Sequence, residues 1–276
     1  MKSVKESFNL TDKIAVITGG AGMLGNKHAA AIAEFGGIPI LLDIDKKVGT
    51  EQASRIAHEY QANCEFKLCD ITDESQISSV RDSLLSKFGH IDILINNAAI
   101  DPKVEEKSDQ NLCRLEEFPV DQWNLELAVG LTGAMLCSKV FGLEMSKNGK
   151  GVILNISSDL GIIAPDQRLY KKSGLPNDKQ PVKPVTYSVI KHGLIGLTKY
   201  LATYWVDEGV RVNSISLGGV SNNQDPKFVE RITNLIPLGR MAHENEYKAA
   251  IIFLVSDASS YMTGSNLVID GGRSCW

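Results

Sequence analysis

The chain has 276 residues, 43% hydrophobic and 22% charged, which is ordinary for a soluble globular protein and gives ample material for a core. Its formal charge of -4 offers no electrostatic reason to expect a nucleic-acid partner. The N-terminal segment is polar, no run of roughly 18 apolar residues suggests a membrane span, and five scattered cysteines (Cys64, Cys69, Cys113, Cys137, Cys275) lack paired metal spacing; the expectation is a cytoplasmic protein with free thiols, no metal and no signal peptide.

An apolar run at 13–18 ends in Gly19-Gly20-Ala21-Gly22-Met23-Leu24-Gly25, and an alanine-rich helical stretch follows. Strand, glycine turn and helix in that order make a phosphate cradle, because glycine permits a tight turn and the helix start offers unpaired N–H groups. A second strand at 38–42 ends at Asp43, a carboxylate roughly 20 residues beyond the turn that suits the ribose hydroxyls and repels a 2′-phosphate. The cofactor expected is therefore NAD rather than NADP.

The pattern then repeats. Helix 46–61 leads to a strand at 64–69 and Asp70-Ile71; helix 74–88 leads to a strand at 91–95 and Asn96-Asn97-Ala98-Ala99. Helices near 120–147, a strand at 152–156, a helix from about 185 to 209 and a strand at 211–215 continue it. Alternation without a shift in composition predicts an α/β fold in one domain over 1–276. It is a doubly wound parallel sheet of about seven strands, with helices on both faces and ligands at the carboxyl ends of the strands. Two segments break the rhythm: a polar stretch at 100–118, and a long loop at 166–184 that carries Arg168, Lys171, Lys172, Lys179 and Lys183. That basic loop reads either as a solvated connection or as a device for holding an anionic substrate, and its direct run into Tyr187 favours the second.

Tyr187 and Lys191 lie four residues apart at the start of a helix, so phenol and ammonium share one face. A fixed cation beside a phenol favours the phenolate and brings its pKa toward the range of a general acid or base. His192 diverges by about 100° from Lys191 and is expected to face away.

With these pieces placed, the sequence resembles the short-chain dehydrogenases/reductases over about 10–272. The likeness is carried by Thr18-Gly19…Gly25, Asp70, Asn96-Asn97-Ala98, Asn155-Ile156-Ser157-Ser158, Tyr187…Lys191, Asn213 and Thr263-Gly264…Asp270-Gly271-Gly272. The resemblance implies a Rossmann-type fold and a catalytic set of Ser158, Tyr187 and Lys191, Ser158 being the second serine of its motif. It also implies a cofactor site built from Gly19, Gly22, Met23, Leu24, Gly25, Asp43, Asp70, Ile71, Asn97, Ala98, Tyr187, Lys191, Gly218 and Val220. In the family the tyrosine is the acid/base on the reacting oxygen, the serine hydrogen-bonds that oxygen, and the lysine binds the nicotinamide ribose.

Three positions depart from the family pattern. Met23 replaces the usual middle glycine of the turn. Leu217-Gly218 replaces a Pro-Gly, which predicts a less constrained loop facing the nicotinamide. Gly130 stands where many members carry an asparagine that holds a water in a proton relay; its bared carbonyl could hold that water, the relay could run elsewhere, or turnover could be weak. The turn, the Ala-Pro-Asp-Gln-Arg-Leu-Tyr insertion and the Tyr187 run also resemble a subgroup tied to bacterial surface-sugar and flagellin-modification pathways. A substrate loop is expected at 221–240, and Gly193, Gly196 and Ala202 suggest a helix surface for a homodimer or homotetramer. The leading expectation is an NAD(H)-dependent oxidoreductase of a secondary alcohol or ketone on an anionic sugar. The alternatives are an enzyme for a small or lipid-like carbonyl compound and a weakly catalytic NAD-binding sensor.

Overall fold

A computed structural model describes residues 3–100 and 113–276. In chain order the elements are α1 (Val4–Ser7), β1 (Ile14–Thr18), α2 (Met23–Glu34), β2 (Ile38–Asp43), α3 (Lys46–Tyr60), β3 (Glu65–Leu68), α4 (Glu74–Phe88) and β4 (Ile93–Asn96). There follow α5 (Val120–Leu127), a π-helical turn (Ala128–Thr132), α6 (Gly133–Lys147), β5 (Gly151–Ser158), α7 (Val185–Tyr204), β6 (Val210–Leu217), α8 (Pro226–Thr233), α9 (Lys248–Val255) and β7 (Asn266–Ile269). Most of the irregular stretch expected at 100–118 lies outside the described residues.

The strands form one seven-stranded parallel sheet in the order β3-β2-β1-β4-β5-β6-β7. Every residue of β1 is buried, which is why it reads as a continuous apolar run and not as an alternation. One face is covered by α2, α3 and α9 through Ala29, Ile32, Ile56, Ile251 and Leu254. The other is covered by α4, α6 and α7 through Ile77, Leu84, Phe141, Met145 and Leu201.

Helix boundaries follow local chemistry. The carboxylates of Asp45, Asp73 and Asp225 accept backbone N–H groups at the starts of α3, α4 and α8, and Gly89 in the left-handed region ends α4. By length and composition the stretch Val120–Lys147 could cross a membrane, which the sequence reading did not anticipate. Half of its apolar window is buried, and Cys137, Val140, Phe141 and Met145 pack against the sheet, so its hydropathy is that of a core helix.

The strand order reverses between β1 and β4, which opens a crevice at their carboxyl ends. Thr18 stitches it: the hydroxyl at the end of β1 accepts the backbone N–H groups of both Asn97 and Ala98, each at 3.0 Å. Asn96, Asn155 and Thr198 form a buried polar chain from β4 through β5 to α7, and Asn213 on β6 fixes the closing loop through Met262 and Ser265. These motif asparagines are framework.

Candidate active site

The glycine turn between β1 and α2 is closed so tightly that side chains would not fit. A Cβ on Gly25 would lie 2.1 Å from the Gly19 carbonyl oxygen, and Gly19 itself has φ +62° with Asn97 and Ala98 pressed against it. Helix α2 begins at Met23 with Gly22 as its cap and no side-chain hydrogen bond to its first N–H groups. The start of α2 therefore keeps donors and a positive dipole end for an anion. Met23 and Leu24 are partly buried on the core, so the methionine at the usual glycine position packs without disturbing the turn.

The remaining cofactor candidates border the same crevice. Asp43 accepts the N–H of Ala21 at 3.0 Å and of Asp45 at 3.2 Å, which pins its carboxylate beside the turn. The Asn97 amide donates to the carbonyls of Thr18 and Gly19. Asp70 accepts from Thr72 and shapes its own loop. Ile71 and Val220 bury their side chains in the core, so at those positions only the backbone is placed to meet a ligand. Gly218 is held from both sides: its N–H donates to Ile269 and its carbonyl accepts from the Tyr247 hydroxyl at 2.9 Å. Burial, with Asp159 and other carboxylates nearby, pushes the Tyr247 phenol up, so it remains a donor. The slack expected from Leu217-Gly218 is thus taken up by Tyr247, which carried no sequence signal.

The three residues expected to act on substrate sit where β5 ends against α7. Lys191 is buried and donates from Nζ to the Ile156 carbonyl at 2.9 Å; Nζ is 5.6 Å from the centroid of the Tyr187 ring. Ser158 is buried at the end of β5. Ser157, by contrast, gives its hydroxyl to the Lys191 backbone carbonyl and anchors the helix. His192 is exposed and bonds to the Ser188 carbonyl.

Gly130 lies within the π turn, where the Gly133 N–H bonds back to Ala128. A Cβ there would sit 2.8 Å from Ile190, so glycine at 130 is the complement of isoleucine on α7. One turn earlier, the buried Glu126 accepts the hydroxyl of Thr186, the neighbour of Tyr187.

The basic loop at 166–184 and the segment at 221–240, where a substrate loop is expected, clamp one another. Arg231 on α8 donates to the carbonyls of Leu169 and Lys171, Tyr170 meets Phe228 with ring centroids 5.5 Å apart, and Leu169, Ile232, Ile236 and Met241 make a small separate core. The basic loop's charges divide. Arg168 forks onto Asp166, and its side chain points to solvent, as do Lys171 and Lys179. Lys183 lies over Tyr187, its ammonium 3.9 Å from the ring centroid.

Residues 13–171 match the family model for short chain dehydrogenase, and 178–274 match one described as Enoyl-(Acyl carrier protein) reductase. The chain belongs to the short chain dehydrogenase family. Similar family members include the D-threitol dehydrogenase of Mycolicibacterium smegmatis, 32% identical with 98% of this chain and 96% of that protein covered. The NAD-dependent glycerol dehydrogenase of Listeria innocua is also 32% identical, over 98% and 97% of the two chains. Among solved structures, a gluconate 5-dehydrogenase from Burkholderia cenocepacia J2315, in complex with NADP and tartrate, superposes with a TM-score of 0.86 at 25% identity, covering 99% of this chain and all of that one. The likeness spans nearly the whole of this chain, and these dehydrogenase relatives make it an oxidoreductase of the kind that acts on CH–OH groups.

Proposed function

We propose that this protein is an NAD(H)-dependent oxidoreductase that interconverts a secondary alcohol and a ketone on a polyol, sugar or sugar acid. The observation that carries the reading is the placement of Lys191. Its buried ammonium is fixed on the Ile156 carbonyl beside Tyr187, at the strand end that supplies Ser158.

The cradle of Gly19, Gly22 and Gly25 and the uncapped start of α2 fit a pyrophosphate. Asp43, held beside that turn, suits an adenosine ribose that bears free hydroxyls. The bound nicotinamide supplies the hydride acceptor or donor. The chain's own residues do the rest. Tyr187 exchanges the proton of the substrate oxygen, Lys191 stabilises the phenolate and holds a ribose hydroxyl, and Ser158 fixes the reacting oxygen by a hydrogen bond.

The relatives' named substrates, threitol, glycerol and gluconate, support a small polyhydroxylated substrate. Lys183 over Tyr187 supports one that carries a carboxylate or phosphate near the reacting carbon. A surface-sugar role rests on the sequence likeness alone. Exposed apolar groups on α7, with Tyr200 stacked on Tyr204, support a homo-oligomer, and we assign the enzyme to the cytoplasm.

The test is a panel of threitol, glycerol, xylitol, mannitol, gluconate, sugar phosphates, nucleotide sugars and small ketones, each with NAD and NADP, on wild-type protein and Tyr187→Phe. Turnover with NAD that falls about 10²- to 10⁴-fold in Tyr187→Phe, with NADH affinity retained, is expected. Equal turnover in both proteins refutes the assignment of Tyr187, and tight NADH binding without turnover on any compound favours a sensor.

A further inference from the structure

Ser158 does not stand alone at the end of β5. Its Oγ lies 2.7 Å from Oδ1 of Asp159, and the Leu160 N–H reaches both that oxygen, at 2.8 Å, and Ser158 Oγ, at 3.2 Å. The other carboxylate oxygen of Asp159 is held by Nη1 of Arg273 at 2.5 Å. All three side chains are buried, the ion pair at 4% and 7% side-chain exposure. Asp159 and the Leu160 N–H together fix where the Ser158 oxygen sits, while its hydroxyl proton can rotate from Asp159 to a reacting oxygen.

A buried carboxylate is costly unless paired, and its partner here comes from the C-terminal segment, 114 residues away in sequence. That segment is itself anchored: Asp270 accepts the N–H groups of Gly272 and Ser274, just beyond the strand whose Ile269 carbonyl holds Gly218.

We propose that Asp159 and Arg273 are positioning residues for catalysis: the buried pair holds the Ser158 hydroxyl in register with Tyr187, so that the C-terminal segment completes the active site of its own chain. The proposal rests on the assignment of Ser158 above. It requires no contact between Asp159 or Arg273 and the substrate, since both side chains are buried against one another.

The experiment is a double-mutant cycle on single-turnover hydride transfer. It uses enzyme in excess, NAD, and whichever of threitol, xylitol, mannitol and gluconate turns over fastest. Asp159→Asn is made in the wild type and in Ser158→Ala, with NADH affinity and thermal midpoint measured alongside. In the wild-type background the rate should fall about 10- to 100-fold, the usual consequence of misplacing a catalytic group by a fraction of an ångström to an ångström, with NADH affinity unchanged. In the Ser158→Ala background the same substitution should change the rate less than about twofold, because its target is already gone. Arg273→Lys, which keeps a cation, should retain more activity than Arg273→Met and serves if Asp159→Asn does not fold. Equal losses in both backgrounds, or an undiminished rate in Asp159→Asn, overturn the proposal while leaving Ser158 in place. A wild-type rate in Ser158→Ala overturns the serine assignment, and the proposal with it.

Discussion

His28 on α2 is fully buried, and among the described residues no group makes a well-formed hydrogen bond to either ring nitrogen. Burial lowers its pKa from 6.5 to about 4; the Asn97 side chain beside it works the other way and is the smaller effect. The folded chain therefore refuses a proton that the unfolded chain accepts once the pH falls below 6.5. Stability should be full above that value and decline as the pH falls toward 4, because there the unfolded state binds more protons. Linkage gives a loss of about 2 kcal/mol at about pH 5, rising to roughly 3 kcal/mol once both states are protonated. The assay is urea unfolding of the cofactor-free protein at about pH 7 and about pH 5, at one protein concentration, for wild type and His28→Leu. Surface carboxylates contribute equally to both proteins, so the difference between the two pH-dependent losses isolates the imidazole. Wild type should lose about 2 kcal/mol more than His28→Leu over this interval. Losses that agree within about 0.5 kcal/mol would refute the reasoning, because a histidine that titrates normally in the folded state predicts no difference.

Asp43→Ser removes the carboxylate pinned by Ala21 and Asp45, and should raise the ratio of kcat/KM with NADP to that with NAD by about 10- to 100-fold; an unmoved ratio would mean that this group does not face the ribose. Gly25→Ala places a methyl 2.1 Å from the Gly19 oxygen and forces the turn open, so fluorescence titration should give an NADH affinity weaker by about 100-fold or more. Gly130→Asn drives its Cβ into Ile190, 2.8 Å away, and should lower turnover and the thermal midpoint. Pairing it with Ile190→Ala should restore the midpoint, and a gain in turnover in the double variant alone would mark the native relay as limiting.

The sheet and the glycine turn beside its crevice were legible because their causes are local. Strands buried on both faces read as apolar runs, the turn needs its glycines in sequence order, and Asp43 sits at a fixed distance from it. Tyr187 and Lys191 were legible through a single helical turn. What the sequence hid depends on contacts between distant segments. Arg273 is an ordinary cation near a chain end until the fold sets it on Asp159, and Tyr247 is one tyrosine among seven until its hydroxyl reaches Gly218. The basic loop shows the same limit: five cations in one stretch look alike in sequence, yet Arg168 is bound to Asp166 while Lys183 is set over the Tyr187 ring.

Gly130 shows why a departure from a family pattern needs its spatial partner before it is interpreted. Alone, a glycine in place of asparagine reads as a lost amide and a damaged relay. Beside Ile190 it is a volume exchange: the branched side chain between Tyr187 and Lys191 fills the space that a side chain at 130 would need. The helix widens to a π turn at the same place, and such a turn breaks the usual pairing of carbonyls with N–H groups four residues on. We propose that any water held at position 130 would be held by backbone oxygen in place of a side chain. On that view the pairing of a glycine with a π turn is a working form of the site, and the double variant at 130 and 190 separates it from a defective one.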